Sequence, residues 1–115
     1  DKLLENIFRL KKLGRPLICT EYMARELGTT FEFSLPIFRE SRVGCYNWGL
    51  VAGKSQTHFP WSSVQKLQKL KKEKVFLEAY EDIPEPEIWF HDIFRKDGSA
   101  FNEDEVVFIK KILER

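Results

Sequence analysis

Glu21 closes a short apolar run at residues 16–21 (PLICTE), and Trp48 closes a second at residues 43–48 (VGCYNW). If both runs are parallel strands, their last residues share the sheet end at which barrel enzymes keep their working groups. A carboxylate beside an indole is the minimal equipment of a sugar-processing site. Retaining glycosidases need two carboxyl groups about 5–5.5 Å apart, one as nucleophile and one as acid/base. The nucleophile must be ionised and accurately aimed, which a strand end provides better than a mobile loop. The indole offers a flat apolar face that can pack against the C–H face of a pyranose. His91 and Asp92 stand side by side, but two residues do not complete a metal or base site, and capping or a local hydrogen bond is expected of them.

The elements that must position these groups follow from periodicity. Side chains alternate along a strand. If Glu21 faces the mouth of a barrel, Leu17 and Cys19 share its face, while Ile18 and Thr20 face outer helices. If Trp48 faces inward, so do Gly44 and Tyr46, while Cys45 and Asn47 point the other way. That parity sets Cys19 and Cys45 on opposite faces and disfavours a disulfide. They have no CxxC spacing, so they are read as buried free thiols.

Between the runs, residues 29–42 read as a helix with a capping box from Thr29 to Glu32 and an apolar stripe of Phe31, Leu35 and Phe38. Pro36 predicts a kink or a late start. Strand, helix and strand make a βαβ unit, which is parallel. Leu3, Leu4, Ile7, Phe8 and Leu10 mark an earlier helix, stopped by Gly14 and Pro16. Residues 49–61 read as a polar, small-residue loop, with His58 near the mouth and Phe59, Pro60 and Trp61 covering the barrel rim or lining an outer subsite.

Residues 62 to about 74 read as a basic helix capped by Ser62 and Gln65, with Val64, Leu67 and Leu70 on one side. Its lysines form a solvated face, offset by the acidic stretch of residues 81–87. Pro84 and Pro86 mark an extended linker. Residues 89–94 (WFHDIF) read as a strand or a tight apolar segment and Asp97-Gly98 as a turn. Asn102 caps a last helix, with Glu105 in the capping box, Phe101 and Val106 as a staple, and Val106, Ile109 and Leu113 as the stripe.

The 115 residues bound the answer to a single domain. Lys plus Arg is 19 and Asp plus Glu is 18, giving a net charge of +1 and arguing against nucleic acid or a polybasic membrane contact. Ten Phe, three Tyr and three Trp argue for a packed core rather than disorder. No apolar run approaches the ~20 residues of a membrane span, and Asp1 opens a charged segment unlike a signal peptide. The first helix lacks an N-cap, which suggests a chain cut from something longer. Two parallel strands are a marginal sheet by themselves. The pattern therefore predicts an α/β chain that is the C-terminal portion of a (β/α)8 TIM barrel, an incomplete barrel with flanking helices.

Three segments carry a family resemblance: GRPLICTEYMAR (14–25), VGCYNWGLVAGKSQT (43–57) and WFHDIFRKDGSAF (89–101). In this order they resemble the C-terminal end of cellulase-like glycoside hydrolases, the clan that includes family five and the family-two β-galactosidases. The resemblance is weakest over residues 62–81, which look like an insertion. It implies that the two runs are the seventh and eighth barrel strands, that Glu21 is the nucleophile and that Trp48 stacks on sugar. It also implies that Tyr22 and Asn47 shape the pocket, and that Lys54, Gln56 and Thr57 lie in a substrate-contacting loop. The acid/base of that clan is a Glu after Asn on the fourth strand, which has no counterpart in these residues. Autonomous activity is therefore not expected. The resemblance implies no cofactor and no catalytic metal. It implies a carbohydrate substrate and, as partner, the remainder of the barrel or a second copy. It further implies a secreted or periplasmic intact protein.

Two other readings stand beside the glycosidase fragment. One is a non-catalytic carbohydrate-binding or self-assembling half-barrel module, suggested by open strand edges. The other is an ordinary interaction domain in which Glu21 and Trp48 are incidental.

Overall fold

The computed structural model of the chain describes residues 2–72 and 84–114. The order of elements is α1 (Lys2–Lys11), β1 (Ile18–Cys19), a 3-10 turn (Arg25–Leu27), α2 (Phe31–Glu40), β2 (Gly44–Cys45), α3 (Trp61–Lys72) and α4 (Glu103–Leu113). β1 and β2 pair in parallel, with Ile18 opposite Gly44 and Cys19 opposite Cys45. The βαβ order read from the sequence is present, with α2 as the crossover.

The barrel portion is not. Among the described residues the fold is mostly helical, and its one sheet has two strands of two residues each. The physical reason is the lack of neighbours. A parallel ladder is stable when strands flank it on both edges, and here hydrogen bonding ends with the Gly44 N–H donating to Leu17 C=O (3.0 Å) and the Tyr46 N–H to Cys19 C=O (2.9 Å). Of the two readings of residues 89–94, the structure shows the tight apolar segment rather than a strand. Residues 89–94 contribute only isolated bridges, with Phe94 facing Val51 and Ala100. The radius of gyration is 17.0 Å, against roughly 13 Å for a compact domain of this length, so much apolar surface stays uncovered.

The helices form where the periodicity puts them, with shifted ends. α1 buries only Ile7 among its residues; Phe8 and Leu10 remain exposed. α2 starts one residue later than the capping box implies. Thr29 is tied to Ala24, its hydroxyl donating to Ala24 C=O at 3.2 Å. The Thr30 hydroxyl therefore becomes the cap and accepts from the Phe33 N–H at 3.4 Å. Pro36 lies inside α2 without delaying its start, because the first turn already closes from Ser34 N–H to Thr30 C=O (3.0 Å). Phe31 and Phe38 are buried as expected, with Leu35 packed beside them.

α3 begins at Trp61, so Ser62 is inside the helix and no capping box forms. The Ser63 and Val64 N–H groups donate to Pro60 C=O (3.0 and 3.2 Å). Val64 is exposed and Lys66 and Lys69 are solvated; the expected continuation past Lys72, and the Leu70 side chain, lie outside the described residues. Asn102 caps α4, its side-chain oxygen accepting from Asp104 N–H (2.9 Å) and Glu105 N–H (3.4 Å). Leu113 is exposed, not part of the stripe. The Asp97-Gly98 turn is present, with Ser99 donating to Asp97 through both its N–H and its hydroxyl (2.9 and 2.7 Å).

The core joins Met23, Phe31, Ile93, Ala100 and Val106, with Tyr22, Leu35, Phe94, Phe108 and Ile109 around it. Glu105 does not complete a capping box. It turns inward and takes a bidentate ion pair from Arg25, with Nε to Oε1 at 2.8 Å and Nη2 to Oε2 at 2.7 Å. The Arg25 guanidinium also lies over the rings of Phe31 and Phe101 (5.5 and 5.0 Å). Phe101 stacks on Trp89 at 5.0 Å and 14°, and Val106 goes to the core.

Candidate functional site

β1 and β2 run in parallel, so the residues just past their C-terminal ends are neighbours. Glu21 follows Cys19 by two positions and is exposed. Trp48 follows Cys45 by three and is 58 % exposed. The backbone carbonyl of Glu21 is held from below by the Cys19 thiol, which donates to it at 3.4 Å. Glu21 and Trp48 thus both follow the C-terminal ends of two adjacent parallel strands, and both are exposed.

The register overturns the expected parity. Ile18 and Gly44 are the exposed partners, and Cys19 and Cys45 the half-buried ones. The two cysteines therefore share a face, because in-register neighbours of a parallel pair point the same way. The opposite face is apolar and open, with Ile18 at 64 % exposure and Tyr46 at 65 %.

Tyr22 is placed in packing. Its ring meets Phe38 edge-on at 5.1 Å and Phe31 at 6.3 Å. Burial drives its phenol well above the usual value, and the nearby thiols of Cys45 and Cys19 push in the same direction. Burial also raises the Cys45 thiol, and its hydrogen bond with Tyr22 opposes that.

Asn47 is a lock between segments. Its Nδ2 donates to Gly49 C=O (2.5 Å) and to His91 C=O (2.9 Å). Residues 49–58 thereby wrap residues 90–94, through Phe90 N–H to His58 C=O (2.9 Å), Ile93 N–H to Leu50 C=O (3.1 Å) and Ala52 N–H to Phe94 C=O (2.8 Å). Lys54 and Gln56 are exposed on this loop. Gln56 adopts a left-handed φ of 61° and donates its N–H to Gly53 C=O (3.0 Å). Thr57 shares a hydroxyl hydrogen bond with Ser55 (3.2 Å).

Within this wrap sits the group that the sequence reading assigned only a local role. Asp92 is 0 % exposed, and neither of its carboxylate oxygens has a hydrogen-bond partner. A Cβ added at Gly49 would stand 2.6 Å from Asp92 Oδ1 and 2.8 Å from Thr57 Oγ1, so only glycine fits there. The signal in the sequence was a charge inside the apolar run WFHDIF. His91 takes a structural rather than a local role, its Nδ1 bonded to the carbonyl of Met23, 68 positions away in the chain. His58 is half-buried against Phe59 and Trp89 (4.2 and 5.2 Å). Burial pulls its imidazole below the usual value, against the opposing charges of Asp92 and Glu85.

Glu85 is held low by the Arg95 guanidinium, which it accepts at 2.6 and 3.0 Å. It lines a concavity of about 430 Å³, shared with Glu26, Phe59, Pro60, Lys66, Leu67 and Ile88 among others. Among the described residues, no three His, Cys, Asp or Glu side chains gather where they could hold a metal ion, and no helix is long and apolar enough to cross a membrane.

Compared with known proteins, the chain matches no family model, no curated protein and no solved structure. The functional reading therefore rests on the strand-end geometry and on the residue pattern.

Proposed function

We propose that this chain supplies the nucleophile and a sugar-stacking platform to a retaining β-glycosidase acting on a β-linked polysaccharide or oligosaccharide. The observation that supports the reading is that Glu21 and Trp48 are both exposed just past the C-terminal ends of adjacent parallel strands. In this chemistry a Glu21 oxygen attacks the anomeric carbon, the glycosidic oxygen leaves, and a glycosyl-enzyme forms. A second carboxyl group first protonates the leaving oxygen and then activates water. That group comes from outside the two strands. Trp48 holds the pyranose by its apolar face, and Lys54 and Gln56 present polar groups from the neighbouring loop.

An activated substrate removes the need for the missing acid, since a dinitrophenolate leaves without protonation. Incubation with dinitrophenyl 2-deoxy-2-fluoro-glycosides of the gluco, xylo and galacto series should leave one sugar on the peptide containing Glu21. The Glu21→Gln variant should carry none. Trp48→Ala should label at least about tenfold more slowly and melt within about 0.5 kcal/mol of the parent, as expected for an exposed side chain. An unlabelled wild-type chain, or a label unaffected by Glu21→Gln, would refute the assignment.

A second reading is favoured by the open apolar face of Ile18, Tyr46 and Trp48. It is a non-catalytic, self-assembling or carbohydrate-binding module. Sedimentation separates the two, because such a module associates through that face at micromolar concentration and a Tyr46→Lys change reverses the association.

A further inference from the structure

We propose that Cys19 and Cys45 form a dithiol site that reacts with small-molecule disulfides and closes to an intrachain disulfide between β1 and β2. The argument starts from the register. The two residues are direct partners in the parallel pair, on the same half-buried face. Neighbouring strands lie about 4.7–4.9 Å apart, inside the ~4.4–6.8 Å range of Cα separations that a disulfide spans. Both thiols are free and neither is sealed from solvent. Their surroundings are also chemical in character. The Cys19 sulfur donates to the Glu21 carbonyl. The proposal does not depend on the glycosidase reading, since it concerns only the register and the thiols.

The step balances without any other reagent. One cysteine thiolate attacks a sulfur of the disulfide RSSR, and RS⁻ leaves. The second cysteine thiolate attacks the protein sulfur of the mixed disulfide, and the second RS⁻ leaves. The two protein thiols lose two electrons, RSSR gains them, and the two thiol protons end on the two released RSH molecules. Closure removes the Cys19 S–H donor from the Glu21 carbonyl, so the oxidised chain holds that residue differently.

Oxidised glutathione is the probe, applied to the reduced chain in native buffer and followed by intact mass and peptide mapping. The wild type should lose two hydrogens, retain no glutathione and release two equivalents of reduced glutathione. Cys19→Ser and Cys45→Ser should each retain one glutathione and release one equivalent. The second step should be at least about tenfold faster in native buffer than in urea, because folding holds the sulfurs together. Wild-type chains that retain glutathione on either cysteine would overturn the proposal. So would disulfide-linked dimers, or a second step no faster than in urea.

Discussion

The ion pair between Arg25 and Glu105 gives the sharpest test of how the two ends of the chain hold together. Its side chains are only 6 % and 7 % exposed, and the guanidinium has one further acceptor, the Trp89 carbonyl at 3.3 Å. Glu105→Gln keeps the shape and one oxygen but removes the charge, and it turns an amide N–H toward a guanidinium N–H. Removing one partner of a buried pair costs about 3–5 kcal/mol, because the remaining charge stays desolvated and unpaired. That is about a fifth or more of the stability of a small domain. With a urea slope of about 1.5 kcal/mol/M, the unfolding midpoint should fall by about 2–3 M. Circular dichroism across a urea series measures it. The double change Arg25→Met with Glu105→Leu should recover most of the loss, since an apolar pair of similar size avoids the desolvation. A loss below about 1 kcal/mol for Glu105→Gln would show that water reaches the pair and would refute the reasoning.

Two further perturbations address the loop that covers Asp92. Gly49→Ala places a carbon within 2.6 Å of Asp92 Oδ1 and should cost about 1–3 kcal/mol; an unchanged thermal midpoint would mean that the loop yields freely. His58, whose imidazole burial holds below its usual value, takes up its proton later in the folded chain than in the unfolded one. Stability should therefore decline as pH falls through about 6.5 and level off below the folded value. His58→Gln should flatten the slope between pH 7.5 and 5.5, and a wild-type urea midpoint that is constant or rises over that interval would contradict the burial.

The helices were legible in the sequence because their signals are local. Stripe and stop residues lie within a few positions of one another, and α1, α2 and α4 appear where those signals stand. Their ends were less legible. Thr29 and Thr30 are equally good caps by type, and only the tie from Thr29 to Ala24 decides between them. Glu105 satisfies the capping-box spacing, yet Arg25, 80 positions away, claims it. The strands were the least legible. PLICTE and VGCYNW have the composition of buried strands, but a strand's length depends on what pairs beside it, and each forms two residues of ladder. Parity within each run was inferred separately, so the relation between Cys19 and Cys45 hung on an unknown register. Glu21 was visible as a candidate because a charge interrupts an apolar run, and Trp48 because it closes a second run of β-formers. Asp92 was visible only as a charge in an apolar context, and its burial depends on a loop about 40 residues upstream.

The core that unites Met23 and Phe31 with Ile93, Ala100 and Val106 also sets an order of events during synthesis. Contacts between residues this far apart in sequence close slowly, because the intervening chain must first be looped. Residues 31–40 leave the ribosome with the aromatic face of α2 covered by Tyr22 but not by α4, which follows later. For that interval the nascent chain is a substrate for chaperones and proteases rather than a folded domain. Codon changes that slow translation after residue 31 should lower the yield of intact chain, whereas the same changes within α4 should matter less.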